Sequence, residues 1–107
     1  MSFKKALEEA IHVKMELLNR NREQMRSDMD SGVLSSRTVG CLHTAQESFK
    51  AAKLHLDQDK AADAMYLFSR GCWNMGEVMG RSAFEKEIHN AIQREKEIHD
   101  KPIRDTN

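Results

Sequence analysis

A chain of 107 residues is long enough for one domain with a real core and too short for two. Its 17 basic residues balance 17 acidic ones, so it lacks the excess of Lys and Arg with which nucleic-acid binders neutralise phosphates. Two cysteines are too few for a disulfide scaffold and fit a reducing cytoplasm. No apolar run approaches the roughly 18 residues of a membrane span, and residues 1–5 lead into Glu8 and Glu9 rather than into a secretory signal.

Strand signals are scarce. There is no β-branched run and no period-two alternation, whereas Ala, Leu, Met, Glu, Lys, Gln and Arg dominate. A first helix is expected over 3–29, with Phe3, Leu7, Ile11, Leu18, Met25 and Met29 on one side at helical spacings. Ser2 is placed to cap its start. Asp30, Ser31 and Gly32 are placed to end it, with Gly32 in the left-handed position.

A second helix is expected from Ser35 or Ser36, either of which suits an N-cap, to Leu56. Leu42, Ala45, Phe49, Ala52 and Leu56 recur at spacings of 3, 4, 3 and 4, the seam of helices packed lengthwise. Residues 57–59 form a polar turn, with Asp57 or Asp59 as cap of a third helix from residue 60. Met65, Phe68, Cys72, Met75 and Met79 share one side of that helix and are assigned to the core.

Two courses are open farther on. Ser82 followed by Glu85 three residues later fits a capping box that would start a fourth helix. Alternatively, one helix runs through to residue 100. Lys101 and Pro102 end it either way, and 102–107 is expected as a flexible tail to a single domain over 1–101. The pentapeptide Glu-Lys-Glu-Ile-His occurs at 85–89 and again at 95–99. An offset of ten residues turns the copies about 80° apart, so they read as helix-favouring composition and not as one repeated face. The expected fold class is all-α, an antiparallel helical bundle of three to four helices, formed as a homodimer.

The third helix carries a second apolar stripe. With Tyr66 as zero and about 100° per residue, Trp73 falls at about −20°, Gly80 at about −40° and Phe84 at about 0°. The Met65–Phe68–Cys72–Met75–Met79 side centres at about 220°, almost opposite. A surface helix shows one apolar stripe; one apolar on two sides is buried centrally or covered by a partner. Gly76 and Gly80 sit four apart beside this stripe, and each costs about 1 kcal/mol in a helix interior. Close approach of another helix would explain them, and so would a bend before Ser82. Trp and Tyr often carry interface energy, and Met side chains repack readily. Tyr66, Trp73, Gly80 and Phe84, flanked by Arg70 and Glu77, are therefore the candidate surface. Three readings stay open: ordinary core, a homodimer interface, or a site for a different protein.

Chemistry is harder to find. Cys41 and His43 are two apart on a helix and point about 160° away from each other, so they do not chelate together. Glu85 with His89, and Glu95 with His99, share a face, but each pair offers two ligands where a metal site needs more. There is no HExxH, CxxC, GxSxG or phosphate-binding loop. No metal, cofactor or catalytic residue is expected, and the chain is not expected to be an enzyme.

Two segments resemble known families. Residues 32–42, a glycine turn, a Ser cap, exposed polar positions and then Val39 and Leu42, resemble the turn and recognition-helix start of helix-turn-helix proteins. The resemblance implies a DNA-binding regulator in which Arg37, Thr38 and His43 face the major groove. The turn is one residue longer than that pattern. Ala64, Phe68 and Gly71 also resemble the second helix of a tetratricopeptide repeat. The partner pattern and a second copy are missing, so what is implied is a helical hairpin between the second and third helices.

Overall fold

The computed structural model describes the backbone of residues 2–100 and the side chains of residues 2–98. The described residues form four helices: α1 (Phe3–Arg20), α2 (Arg22–Asp30), α3 (Ser36–Asp57) and α4 (Ala61–Asp100). There is no strand among the described residues. The fold class is all-α. The end of the last helix at Pro102, and the tail beyond it, lie outside the described residues.

Ser2 opens α1 as its sequence suggests, in extended geometry with Oγ accepting from Lys5 N at 3.2 Å. The single helix expected over 3–29 is two helices. Asn21 leaves helical geometry at φ −95° and ψ 1°, and its Nδ2 donates to Leu17 O at 2.9 Å. A short amide that bonds the backbone in this way competes with helix continuation. The apolar stripe continues across the break, and Met29 is half-buried. Leu7, Ile11 and Leu18 of α1 and Met25 of α2 are buried, but Phe3 is left exposed.

α2 ends in a corner built on Asp28. The Asp28 carbonyl accepts from Val33 N at 2.9 Å and from Ser31 Oγ at 3.3 Å. Gly32 turns the chain at φ 75°, the conformation that favours glycine there. Gln24 Nε2 donates to Asp28 Oδ1 at 3.0 Å, and Lys86 Nζ of α4 lies 2.9 Å from Oδ2. That last contact is an ion pair and lacks the angle of a hydrogen bond, so the buried Oδ2 is held by charge alone.

Ser35 caps α3, and all five seam residues, Leu42, Ala45, Phe49, Ala52 and Leu56, are buried. The turn into α4 places Asp59 at φ 61° and closes with Lys60 N donating to His55 O at 2.8 Å. The Asp59 carboxylate accepts from Lys4 Nζ at 2.8 Å and ties the start of α1 to this turn.

α4 does not break at Ser82. It runs for 40 residues, and Ser82 is buried inside it. α3 and α4 are antiparallel: Leu56 clusters with Ala64 at one end, Phe49 packs on Gly71 in the middle, and Ser35 meets Glu85 at the other. The hairpin implied by the repeat-like residues is present, and Ala64, Phe68 and Gly71 face α3 within it.

The inward stripe of α4 is rotated from the expected one by about 60°. Ala64, Gly71, Met75, Val78 and Ser82 are buried, Phe68 and Cys72 are half-buried, and Met65 and Met79 are exposed. The reason is steric. A Cβ on Gly71 would stand 2.6 Å from the Phe49 ring, so the two backbones approach closest along the small residues and the Met side chains are turned outward. Phe49 and Phe68 meet as tilted rings with centroids 5.9 Å apart. The core has two buried clusters, one around Phe49 and Val78 and one around Ile11 and Leu56, and Met15 and Phe68 pack against both.

Candidate interaction surface

Because Ser35 lies beside Glu85, α4 outlasts its neighbour. Residues 87–98 extend about 18 Å past the start of α3 at 1.5 Å per residue. All of them are exposed except His89, which is half-buried. The molecule is correspondingly elongated, 74 × 24 × 17 Å.

The outward side of α4 is where the candidate residues fall. Tyr66, Trp73 and Phe84 are 67%, 68% and 63% exposed. No other helix covers Trp73, so within one chain it is not core. Arg70 and Gly80 are exposed beside them, and Glu77 is half-buried. A Cβ on Gly76 or Gly80 would meet nothing within 4 Å. The helix is unbroken through both, and no close approach within the chain accounts for these glycines. Glu77 accepts from Arg81 Nε at 3.2 Å, and Asn74 Nδ2 donates to Arg70 O at 2.9 Å.

The face is longer than the sequence pattern suggested. Ile88, Ile92 and Ile98 are also exposed, at 47%, 51% and 69%. They continue the side that holds Phe84, with Ala91 among them. Their spacing from Phe84 is four, eight and fourteen residues, and Ile88 and Ile98 are the isoleucines of the two pentapeptide copies.

The DNA-reading candidates are divided. Arg37 and His43 are exposed, and His43 lines a shallow groove together with Arg70. Thr38 is fully buried, and its Oγ1 donates to Glu85 Oε1 at 2.8 Å. It does not face a groove of DNA. Glu85 also accepts from Ser35 N at 3.0 Å and Ser35 Oγ at 2.6 Å, so a carboxylate already occupies the anion-favouring N-terminus of α3. Burial pushes the Glu85 carboxyl up, but the Ser35 and Thr38 donors, with Arg81 nearby, outweigh it and hold it below its ordinary 4.5. α2 does not lie close against α3, as the first two helices of a helix-turn-helix would.

Among the described residues, no three His, Cys, Asp or Glu side chains gather as a metal site. Glu85, paired on paper with His89, serves the α3 cap instead; the His99 side chain lies outside the described residues. Burial raises the Cys72 thiol pKa, against a smaller opposite pull from Lys14, which makes it a poor thiolate. A concavity along α1, reaching Lys53 and Leu56, is lined by alternating charges such as Lys4, Glu8, His12 and Glu16 and includes no residue of α4. No helix among the described residues is long and apolar enough to cross a membrane. No protein-family pattern, curated protein or solved structure matches the chain.

Proposed function

We propose that the chain is a small helical-bundle interaction module, an adaptor, regulator or inhibitor of another protein, that works through the outward face of α4 and not by catalysis. The observation that carries this reading is the exposure of Tyr66, Trp73 and Phe84, about two-thirds each, on one side of an unbroken helix. Soluble monomers seldom leave contiguous apolar patches beyond a few hundred Å² open to water, and larger ones mark interaction sites. Aromatic anchors flanked by charge, here Arg70 and Glu77, are the composition of binding hot spots. The DNA-binding alternative through Arg37, Thr38 and His43 has less support, since Thr38 is buried and Glu85 places negative charge where a phosphate would arrive.

Paired affinity capture tests the reading, with the wild-type chain and Trp73→Ala as baits of equal helicity. The expected result is a bound protein retained by the wild type and lost by the variant. Equal retention on both baits, together with salt-sensitive binding of nucleic acid that Arg37→Ala weakens, would move the function to α3.

A further inference from the structure

Taking from that reading only that the outward face of α4 binds protein, we infer that its occupant is a second copy of this chain, packed antiparallel so that Phe84 of each copy covers Gly80 of the other. Three observations converge on a second copy as the occupant.

The first is area. Aromatic side chains present roughly 150–250 Å² each. Scaled by their exposures, Tyr66, Trp73, Phe84, Ile88, Ile92 and Ile98 leave apolar surface on the order of 700 Å², close to the ~800 Å² per partner of a standard interface.

The second is self-complementarity. A twofold interface brings a surface onto itself, so the pattern must read sensibly about one centre. About position 82 it does: Phe84 and Gly80 lie two residues on either side, Trp73 and Ala91 nine, Tyr66 and Ile98 sixteen. The members of each pair fall on matching flanks, at about −20° for both Trp73 and Ala91 and within about 40° for the others. Two of the three pairs set a large ring on a residue with little or no side chain, the arrangement that lets facing helices interdigitate. Gly80, which nothing in its own chain fills, becomes the seat for Phe84.

The third is the unsupported end of α4. Residues 87–98 are exposed apart from the half-buried His89, and a helix end without tertiary packing draws little stability beyond its own propensity. In the antiparallel pair they lie against residues 66–77 of the second copy, on the Tyr66–Trp73 stretch that its own chain leaves bare. A chain of zero net charge offers no long-range repulsion to this approach, and of the acids on this face Glu77 brings Arg81 as its own counter-charge.

The experiment is sedimentation of the full chain over a dilution series, for wild type, Trp73→Ala and Ala91→Trp, with helicity followed by circular dichroism. Ala91 is exposed in the single chain, so its replacement leaves the fold untouched and obstructs only the pair. Expected is a wild-type dimer, with dissociation constants raised at least about tenfold in both variants, a loss of about 1.4 kcal/mol or more. A wild type that stays monomeric at every concentration overturns the second-copy pairing and leaves the face to a different protein. A dimer broken by Trp73→Ala but not by Ala91→Trp keeps the face and overturns the register. A dimer indifferent to both variants lies elsewhere on the chain, overturns the pairing and leaves the face to a different protein, which the capture with Trp73→Ala then decides.

Discussion

Glu85 reaches back fifty residues to Ser35, accepting from its backbone N–H at 3.0 Å and from its hydroxyl at 2.6 Å. The cap of α3 is thus completed by α4. The contact belongs to tertiary structure, although the side chain sits in a sequence that reads as a local capping box.

Acid should therefore weaken the α3–α4 contact in a defined window. The folded-state pKa of Glu85 is depressed, so its contribution is complete above the ordinary value of 4.5 and is lost as pH falls from there through the lowered folded value. Glu85→Gln should flatten this part of the stability–pH profile. At neutral pH it should cost about 1 kcal/mol, the usual worth of a helix cap. Thermal unfolding of both proteins between neutral and acid pH makes the comparison.

The glycines of α4 should answer to alanine in opposite ways. Gly71→Ala drives a methyl into the Phe49 ring, 2.6 Å away, and should destabilise by about 1–2 kcal/mol despite the better helix propensity of alanine. Phe49→Leu in the same chain should recover part of that loss, a coupling that a double-mutant cycle measures. Gly76→Ala and Gly80→Ala meet open space, and each should stabilise the single chain by about 1 kcal/mol. In the dimer, Gly80→Ala should at the same time weaken association, because it narrows the seat for Phe84.

Aromatic truncations should separate along the same lines. Phe49→Ala, in the buried seam, should cost about 3–5 kcal/mol in chemical denaturation. Trp73→Ala and Tyr66→Ala, at exposed positions, should stay within about 0.5 kcal/mol when measured dilute enough to be monomeric.

The Asp28–Lys86 pair should be asymmetric. Lys86→Met strands a carboxylate whose Oδ2 has no other partner, and should cost about 2 kcal/mol. Asp28→Asn leaves an ammonium that is 41% exposed and free to turn to water, and it keeps an acceptor for Gln24. It should cost about half as much. Urea denaturation of the two variants compares them directly.

What was legible in the sequence follows from which forces are local. The α3 seam was read in full because five apolar residues at 3–4 spacing leave one way to face a core. Ser2, Ser35 and Gly32 were read for the same reason: each acts on backbone within a few residues. The break at Asn21 escaped because an amide that bonds its own helix leaves no gap in the apolar pattern. The inward side of α4 is hard to read because its closest approach is made by Gly71, Ala64 and Ser82, whose side chains offer little apolar surface, while Met65 and Met79 offer much and face out. The role of Glu85 depends on a residue fifty positions away, and the capping-box pattern pointed to Ser82 instead. At the outward face, Tyr66, Trp73 and Phe84 were legible by angle; the extension through Ile88, Ile92 and Ile98 was missed by reading past them.

Asn21 has a consequence for how the chain comes apart. It divides the N-terminal thirty residues into an α1 segment, with Leu7 and Ile11 in the cluster of Leu56 and Ala64 and Leu18 in that of Phe49 and Val78, and an α2 segment that adds Met25 to the second cluster, with the amide–carbonyl contact to Leu17 as the joint. A long rigid rod would shear off both clusters at once. Two short ones can detach in turn, α2 first, held by Met25 and by Asp28 through Lys86, and then α1, held by Leu7, Ile11, Leu18 and the Lys4 clasp. Amide exchange should then resolve two opening events along the first thirty residues, each smaller than unfolding of the α3–α4 hairpin.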